Sequence, residues 1–110
     1  MRDDPKPVLV QTNCGSEAEA RAIGRAAVEA GLAACANIHG PITSVYRWQG
    51  AIAEEPEWVV YLKTTAAAVE DLEALVKERH SYDLPAFLVL PIEGGAANYL
   101  QWLVSGGQET

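Results

Sequence analysis

Apolar and polar positions follow two rhythms along this chain. Residues 7 to 12, Pro-Val-Leu-Val-Gln-Thr, form a short apolar run closed by Asn13-Cys14-Gly15, the pattern of a buried strand. Ser16-Glu17-Ala18-Glu19 then matches a capping box, with Ser16 accepting from the Glu19 amide and Glu19 reaching back to Ser16. Ile23, Ala26, Ala27 and Ala30 recur at helical spacing, and Gly31 stands where a C-terminal cap belongs.

From Leu32 to Ile38 and from Ile42 to Trp48 the chain is again apolar and β-branched or aromatic. The interruption at His39-Gly40-Pro41 predicts one long strand with a bulge. Gln49-Gly50-Ala51 reads as a hairpin turn, and Trp58 to Thr64 as the returning strand; Pro56 argues that the early part of the returning arm is not central in a sheet. Thr64 or Thr65 is expected to cap a second helix with Val69, Leu72, Leu75 and Val76 on its inner stripe. Residues 87–92 read as a fourth strand and Tyr99 to Leu103 as a short final helix, with a frayed tail from Ser105.

This order predicts an α+β fold: a ferredoxin-like βαββαβ sandwich with a C-terminal helix, in which both main helices cover one face of a four-stranded antiparallel sheet. One domain spans 1–110, with its ordered core at about 7–104. Val59-Val60-Tyr61-Leu62 and Phe87-Leu88-Val89-Leu90 are apolar at consecutive positions. That pattern predicts burial on both faces, hence self-association and a central position for Leu88.

Composition narrows the functional classes. Eight basic against fifteen acidic residues give a net charge of -7, so the cationic footprint that dominates nucleic-acid affinity is missing. No apolar run approaches the roughly 18 residues of a spanning helix, and the opening residues lack a signal peptide's apolar middle; membrane insertion is not expected and the cytoplasm is. Cys14 and Cys35 complete no zinc motif and are read as free thiols. No triad, paired carboxylate or phosphate loop is visible, which argues against an enzyme.

Several stretches resemble the CutA family, the divalent-cation tolerance proteins. They are Gly31-Leu32-Ala33-Ala34-Cys35-Ala36-Asn37-Ile38, Gly40-Pro41-Ile42-Thr43-Ser44-Val45-Tyr46 with Trp48 and Gly50, Leu62-Lys63-Thr64, His80-Ser81-Tyr82-Asp83-Leu84-Pro85, Leu90-Pro91-Ile92, and Tyr99-Leu100 with Trp102-Leu103. The resemblance runs from about Val8 to Leu103. It implies a tight homotrimer similar to the PII-type nitrogen-regulatory proteins, with clefts between subunits and a role in tolerance of copper and other divalent metals. No enzymatic reaction comes with it. Members often carry His-Pro-Tyr-Glu-x-Pro-Glu where this chain ends in Ala86, and some place a cysteine where this chain has Gln11. A site built from that cysteine, the histidine and the last glutamate keeps only His80 here.

The candidate metal ligands are therefore His80, Cys35, His39 and Glu57, suited by type to Cu(II) or Zn(II). Lys63, Tyr82, Trp48 and His80 are the candidates for lining a ligand cleft. Cys14, ahead of a helix N-terminus, is expected to be the more acidic thiol. The acidic run Glu54-Glu55-Pro56-Glu57 reads as a solvated edge. The expected function is a non-enzymatic trimer of divalent metal (copper) tolerance and homeostasis that binds metal or a small ligand and needs no cofactor. The alternative is a PII-like signalling or scaffold trimer that docks a protein partner through its hairpin.

Overall fold

A computed structural model describes residues 5–108. The opening residues Met1 to Asp4, and the end of the tail at Glu109 and Thr110, lie outside the described residues. The order is β1 (Pro7–Cys14), α1 (Glu17–Glu29), β2 (Cys35–Trp48), β3 (Ala51–Thr65), a short 3-10 turn (Ala66–Ala68), α2 (Val69–Arg79), β4 (Leu88–Pro91) and α3 (Ala97–Val104). The strands form one antiparallel sheet in the order β2-β3-β1-β4. This is the ferredoxin-like α+β arrangement that the pattern predicts.

Alternation along β1 decides which face is covered. Val8, Val10, Thr12 and Cys14 are buried while the residues between them are half-exposed. Val10, Val60 and Leu62 meet Ala20, Ile23 and Ala27 of α1 and Leu72 and Val76 of α2 in a single core cluster. The inner stripe of α1 is thus Ala20, Ile23, Gly24 and Ala27, set closer to the N-terminus than the alanine spacing suggests; Ala30 is exposed. Gly24 lets α1 lie against β2, since a Cβ there would stand 3.0 Å from the Ala36 methyl. Inside this core the Thr12 hydroxyl has no partner. An unpaired buried hydroxyl costs roughly 1–3 kcal/mol, so Thr12→Val is expected to raise the denaturation midpoint, and a lowered midpoint would show that the hydroxyl is satisfied.

The helix ends obey local chemistry, with three departures from the sequence reading. Ser16 accepts from the Glu19 amide at 3.2 Å as expected. The Glu19 carboxylate, however, does not close the box: it accepts from the Ser81 amide at 3.3 Å, drawn to the loop that follows α2. Thr65 occupies the N-cap position of the 3-10 turn without a side-chain bond, and Thr64 donates to the Leu32 carbonyl at 2.7 Å, so neither threonine caps α2. Gly31, at φ +74, closes α1 in a Schellman arrangement: its amide reaches Val28 and that of Leu32 reaches Ala27. Gly106 and Gly107 close α3 in the same way onto Leu103 and Trp102, so the tail is organised to this point rather than frayed from Ser105.

The hairpin turn is two residues, Gln49 and Gly50, both at positive φ, the geometry of a type I′ connection. β1 pairs only with residues 58–65 of β3. Residues 51–57 therefore pair with β2 alone, which is why Pro56 is tolerated there. The register shift between His39 and Ile42 marks the predicted bulge. β4 is shorter than expected, is an edge strand, and is exposed along its whole length, so Leu88 is not central. A charge at Leu88 would stand on that exposed edge rather than in the subunit's core.

Candidate functional site

The projecting hairpin and the loop after α2 enclose a groove of about 610 Å³. Counting outward from the Gln49-Gly50 turn, Trp48, Tyr46 and Ser44 share one face with Glu55 and Glu57. Across the bulge that face continues as the sheet face opposite Val10 and Thr12, the one that α1 and α2 leave uncovered. The loop 81–86 supplies the other wall through Ser81, Tyr82, Asp83, Leu84 and Ala86.

Glu57 is the polar centre. Its Oε1 accepts from Asn13 Nδ2 at 3.2 Å and from Ser44 Oγ at 2.7 Å, and its Oε2 accepts from the Tyr82 hydroxyl at 2.9 Å. Beside it the Tyr46 hydroxyl donates to Glu55. Both phenols are held above their ordinary pKa: Tyr82 by burial and then by its bond to Glu57, Tyr46 chiefly by its bond to Glu55. Glu57 is thus a half-buried carboxylate in a network, unlike the exposed Glu54, and the solvated-edge reading fails for it.

Behind the groove lies a second cluster. His80 is the C-cap residue of α2 and its side chain is fully buried. Its Nε2 lies 2.8 Å from the Asn13 carbonyl, so Nε2 carries the proton and donates; Nδ1 accepts the Tyr82 amide at 3.2 Å. Cys14 Sγ stands 3.8 Å from Nε2, and Glu19 Oε2 lies 3.4 Å from Nδ1. Cys14, Glu19 and His80 form the one group of three metal-capable side chains found among the described residues, with donor atoms within 4.8 Å of one another.

The donor chemistry of this cluster does not fit a resident metal. Burial first, then the Glu19 carboxylate, pushes the Cys14 thiol from 9.0 up to about 12. Both His80 nitrogens are already spent on the backbone. The expectation that Cys14 is the acidic thiol is therefore overturned: it ends β1 with its side chain in the core, where desolvation outweighs the dipole of α1. We expect Cys14 in the native protein to resist alkylation at pH 8 and to react fully only in denaturant. Because the folded thiol's pKa is raised, unfolding releases a proton above pH 9. The stability this group contributes is complete below pH 9 and lost as pH rises toward 12, a loss that Cys14→Ser removes. Rapid native alkylation of Cys14, measured by peptide mapping, would contradict this.

The remaining candidates lie elsewhere in the chain. Trp48, Tyr82 and Glu57 line the groove. Cys35 opens β2 opposite Lys63, is free and half-buried, and points its thiol at Asn37 Oδ1, 3.8 Å away. His39 stacks on Tyr61 with ring centroids 5.5 Å apart. Lys63 donates to the Tyr99 hydroxyl at 3.1 Å and sits 5.3 Å from that ring's centroid. Within one chain, then, His80, Cys35, His39 and Glu57 do not converge, and Lys63 does not join Trp48 and Tyr82. Sequence reasoning missed Asn13, Ser44, Tyr46 and Glu19. Register counting from the two-residue turn could have found Ser44 and Tyr46.

Residues 8–106 match the family described as CutA1 divalent ion tolerance protein. The chain is 47% identical over 88 residues to the divalent-cation tolerance protein CutA of Thermus thermophilus, covering 80% of this chain and 85% of that one. It is 38% identical over 106 residues to rice Protein CutA 1, chloroplastic, covering 96% of this chain but 59% of that protein. The animal and plant relatives are longer, and the chain spans about half of the human Protein CutA. The solved Thermus thermophilus structure superposes with a TM-score of 0.89 at 41% identity, over 93% of this chain and 99% of that one. A chloroplast relative shows that the family name fixes no compartment; among the described residues no helix is long and apolar enough to cross a membrane. Strand order, motifs and relatives agree: this chain belongs to the CutA1 divalent ion tolerance family.

Proposed function

We propose that the chain is the subunit of a cytoplasmic homotrimer, a non-enzymatic binding protein of divalent-cation tolerance and copper homeostasis. Its ligand, a divalent cation such as Cu(II) or Zn(II) or a small molecule, is held in clefts between subunits. The observation that carries this reading is the exposed apolar edge of the sheet. Leu88, Val89 and Leu90 stand on an edge strand with its backbone unpaired on one side, a surface that another copy of the sheet would cover.

Binding rather than turnover is favoured by how the reactive groups are tied. Cys14 and His80 lie near each other as a nucleophile and base would, but the thiol is held protonated and the imidazole serves the backbone. The family positions that this chain fills with Gln11 and Ala86 hold no ligand side chain for a soft ion: Gln11 donates to Asn13 Oδ1 at 3.3 Å, and Ala86 lines the groove. Competition of Cu(II) and Zn(II) against a chelator of known affinity tests the metal arm. Saturable binding that survives His80→Ala is expected. Binding lost in a folded His80→Ala protein would make that imidazole a ligand, and no binding beyond the chelator would transfer the function to a small molecule.

A second reading, a PII-like signalling or scaffold trimer, is favoured by the hairpin, where Val45 and Ile52 are each 63% exposed on a two-stranded arm. A partner lost on Ile52→Asp, with the assembly unchanged, would support it.

A further inference from the structure

The buried His80 ring has two arrangements within reach of a single proton. In the one seen, Nε2–H donates to the Asn13 carbonyl at 2.8 Å and Nδ1 accepts the Tyr82 amide at 3.2 Å. Nδ1 also faces Glu19 Oε2 at 3.4 Å, and two acceptors that close repel each other when no hydrogen lies between them. A neutral ring nitrogen has a single in-plane lone pair. Nδ1 can therefore accept from Tyr82 or, once protonated, donate to Glu19, but not both. Glu19 Oε2 already accepts the Ser81 amide at 3.3 Å, so a proton on Nδ1 closes an ion pair without displacing Ser81. The amide that loses its partner is that of Tyr82.

The groups that act belong to one subunit. Glu19 stands in the first turn of α1 and His80 caps α2, on the side of the sheet that the helices cover. The His80 side chain is fully buried by its own chain, so copies that cover the opposite face leave its environment unchanged. Of the titratable groups around the ring, Cys14 on β1 stands 3.8 Å from Nε2 and burial keeps it a neutral thiol. Tyr82, its ring centroid 4.9 Å from that of His80, is a neutral phenol bonded to Glu57 on β3. Arg79, next to His80 on α2, is exposed. The charge at Nδ1 is that of Glu19, and histidine is the side chain suited to change charge between about pH 5 and 8.

We propose that His80 and Glu19 form a proton-operated latch on the loop that follows α2. With His80 neutral, the loop is held at the Tyr82 amide. With His80 protonated, Nδ1–H pairs with Glu19 Oε2 and the backbone from Tyr82 onward is released. Acid thereby loosens the Tyr82 contact to Glu57 and the stretch that leads from α2 into β4.

NMR of the nitrogen-15-labelled full chain between pH 8 and 5 tests the latch, reading the His80 ring nitrogens together with hydrogen exchange at the Ser81 and Tyr82 amides. The expected result is that Nδ1 gains its proton and that Tyr82 exchange, referenced to a free peptide at each pH, speeds up by roughly tenfold at the same midpoint. Ser81 exchange is expected to stay constant. Glu19→Gln, which keeps an oxygen for the Ser81 amide and removes the charge, is expected to move both transitions to lower pH. His80→Asn, whose Oδ1 accepts but takes up no proton in this range, is expected to make Tyr82 exchange independent of pH and serves if Glu19→Gln does not fold. A ring that stays neutral down to pH 5, or Tyr82 protection that is unchanged as His80 gains its proton, overturns the proposal. So does a midpoint unmoved by Glu19→Gln, or a Tyr82 transition that persists in His80→Asn.

Discussion

Leu62→Ala is expected to destabilise the protein by about 3 kcal/mol, within the roughly 2–5 kcal/mol seen when a buried leucine is cut to alanine. Leu62 lies on β3, paired with Val10 on one side and Ala36 on the other, and is fully buried in the cluster that α1 and α2 close. Neighbours held by two strands and two helices cannot collapse far into the space left, so the cavity cost adds to the lost transfer energy. Urea titration at one fixed protein concentration measures it, since an oligomer's stability depends on concentration. A loss below about 1 kcal/mol would mean that the site collapses freely and that the core is not organised around β3.

Gly40→Ala carries the second large effect, and it links fold to site. A Cβ at Gly40 would stand 2.6 Å from Trp58 Cδ1 and 2.9 Å from the Glu57 carbonyl oxygen. The backbone contact cannot be relieved by turning a side chain. Gly40 also sits in the bulge from which the hairpin projects. Displacing it moves Ser44, Tyr46 and Trp48 relative to Asn13 and Tyr82. We expect a loss of about 1–3 kcal/mol, the range for overpacking, together with a changed near-UV spectrum as the groove aromatics shift. Wild-type stability and an unchanged spectrum would show that the bulge absorbs a methyl group.

Most of the fold is legible in local chemistry. Ser16 and Gly31 mark the ends of α1, and Gln49-Gly50 dictates a two-residue turn and hence the hairpin register. What misled was context. Leu88 sits in an apolar run that is indistinguishable from a central strand, but its place at the edge is decided by sheet order, a non-local property. Glu19 fits a capping box by spacing, yet the amide of Ser81, sixty-two residues away, competes for it. Cys14 looks activated beside a helix start; only the packing of the core reveals that desolvation prevails.

The candidate site divides along the same line. Residue type points to Tyr82 and Trp48 as cleft residues and to Glu57 as a metal ligand; all three line the groove, whereas Asn13 enters it only because β1 ends beside β3. Gly15 shows how close that loop lies, since a Cβ there would meet the Tyr82 hydroxyl at 3.0 Å. His80 carries the strongest chemical connotation in the sequence, and its two backbone bonds give it a structural duty instead.

The claim on which the rest depends is that other copies of this chain cover the exposed edge. Light scattering coupled to size-exclusion chromatography at micromolar concentration tests it directly. A particle of about three times the 11.8 kDa subunit is predicted. An 11.8 kDa particle would contradict the account, leaving Leu88, Val89 and Leu90 in water and the clefts between subunits without a second wall.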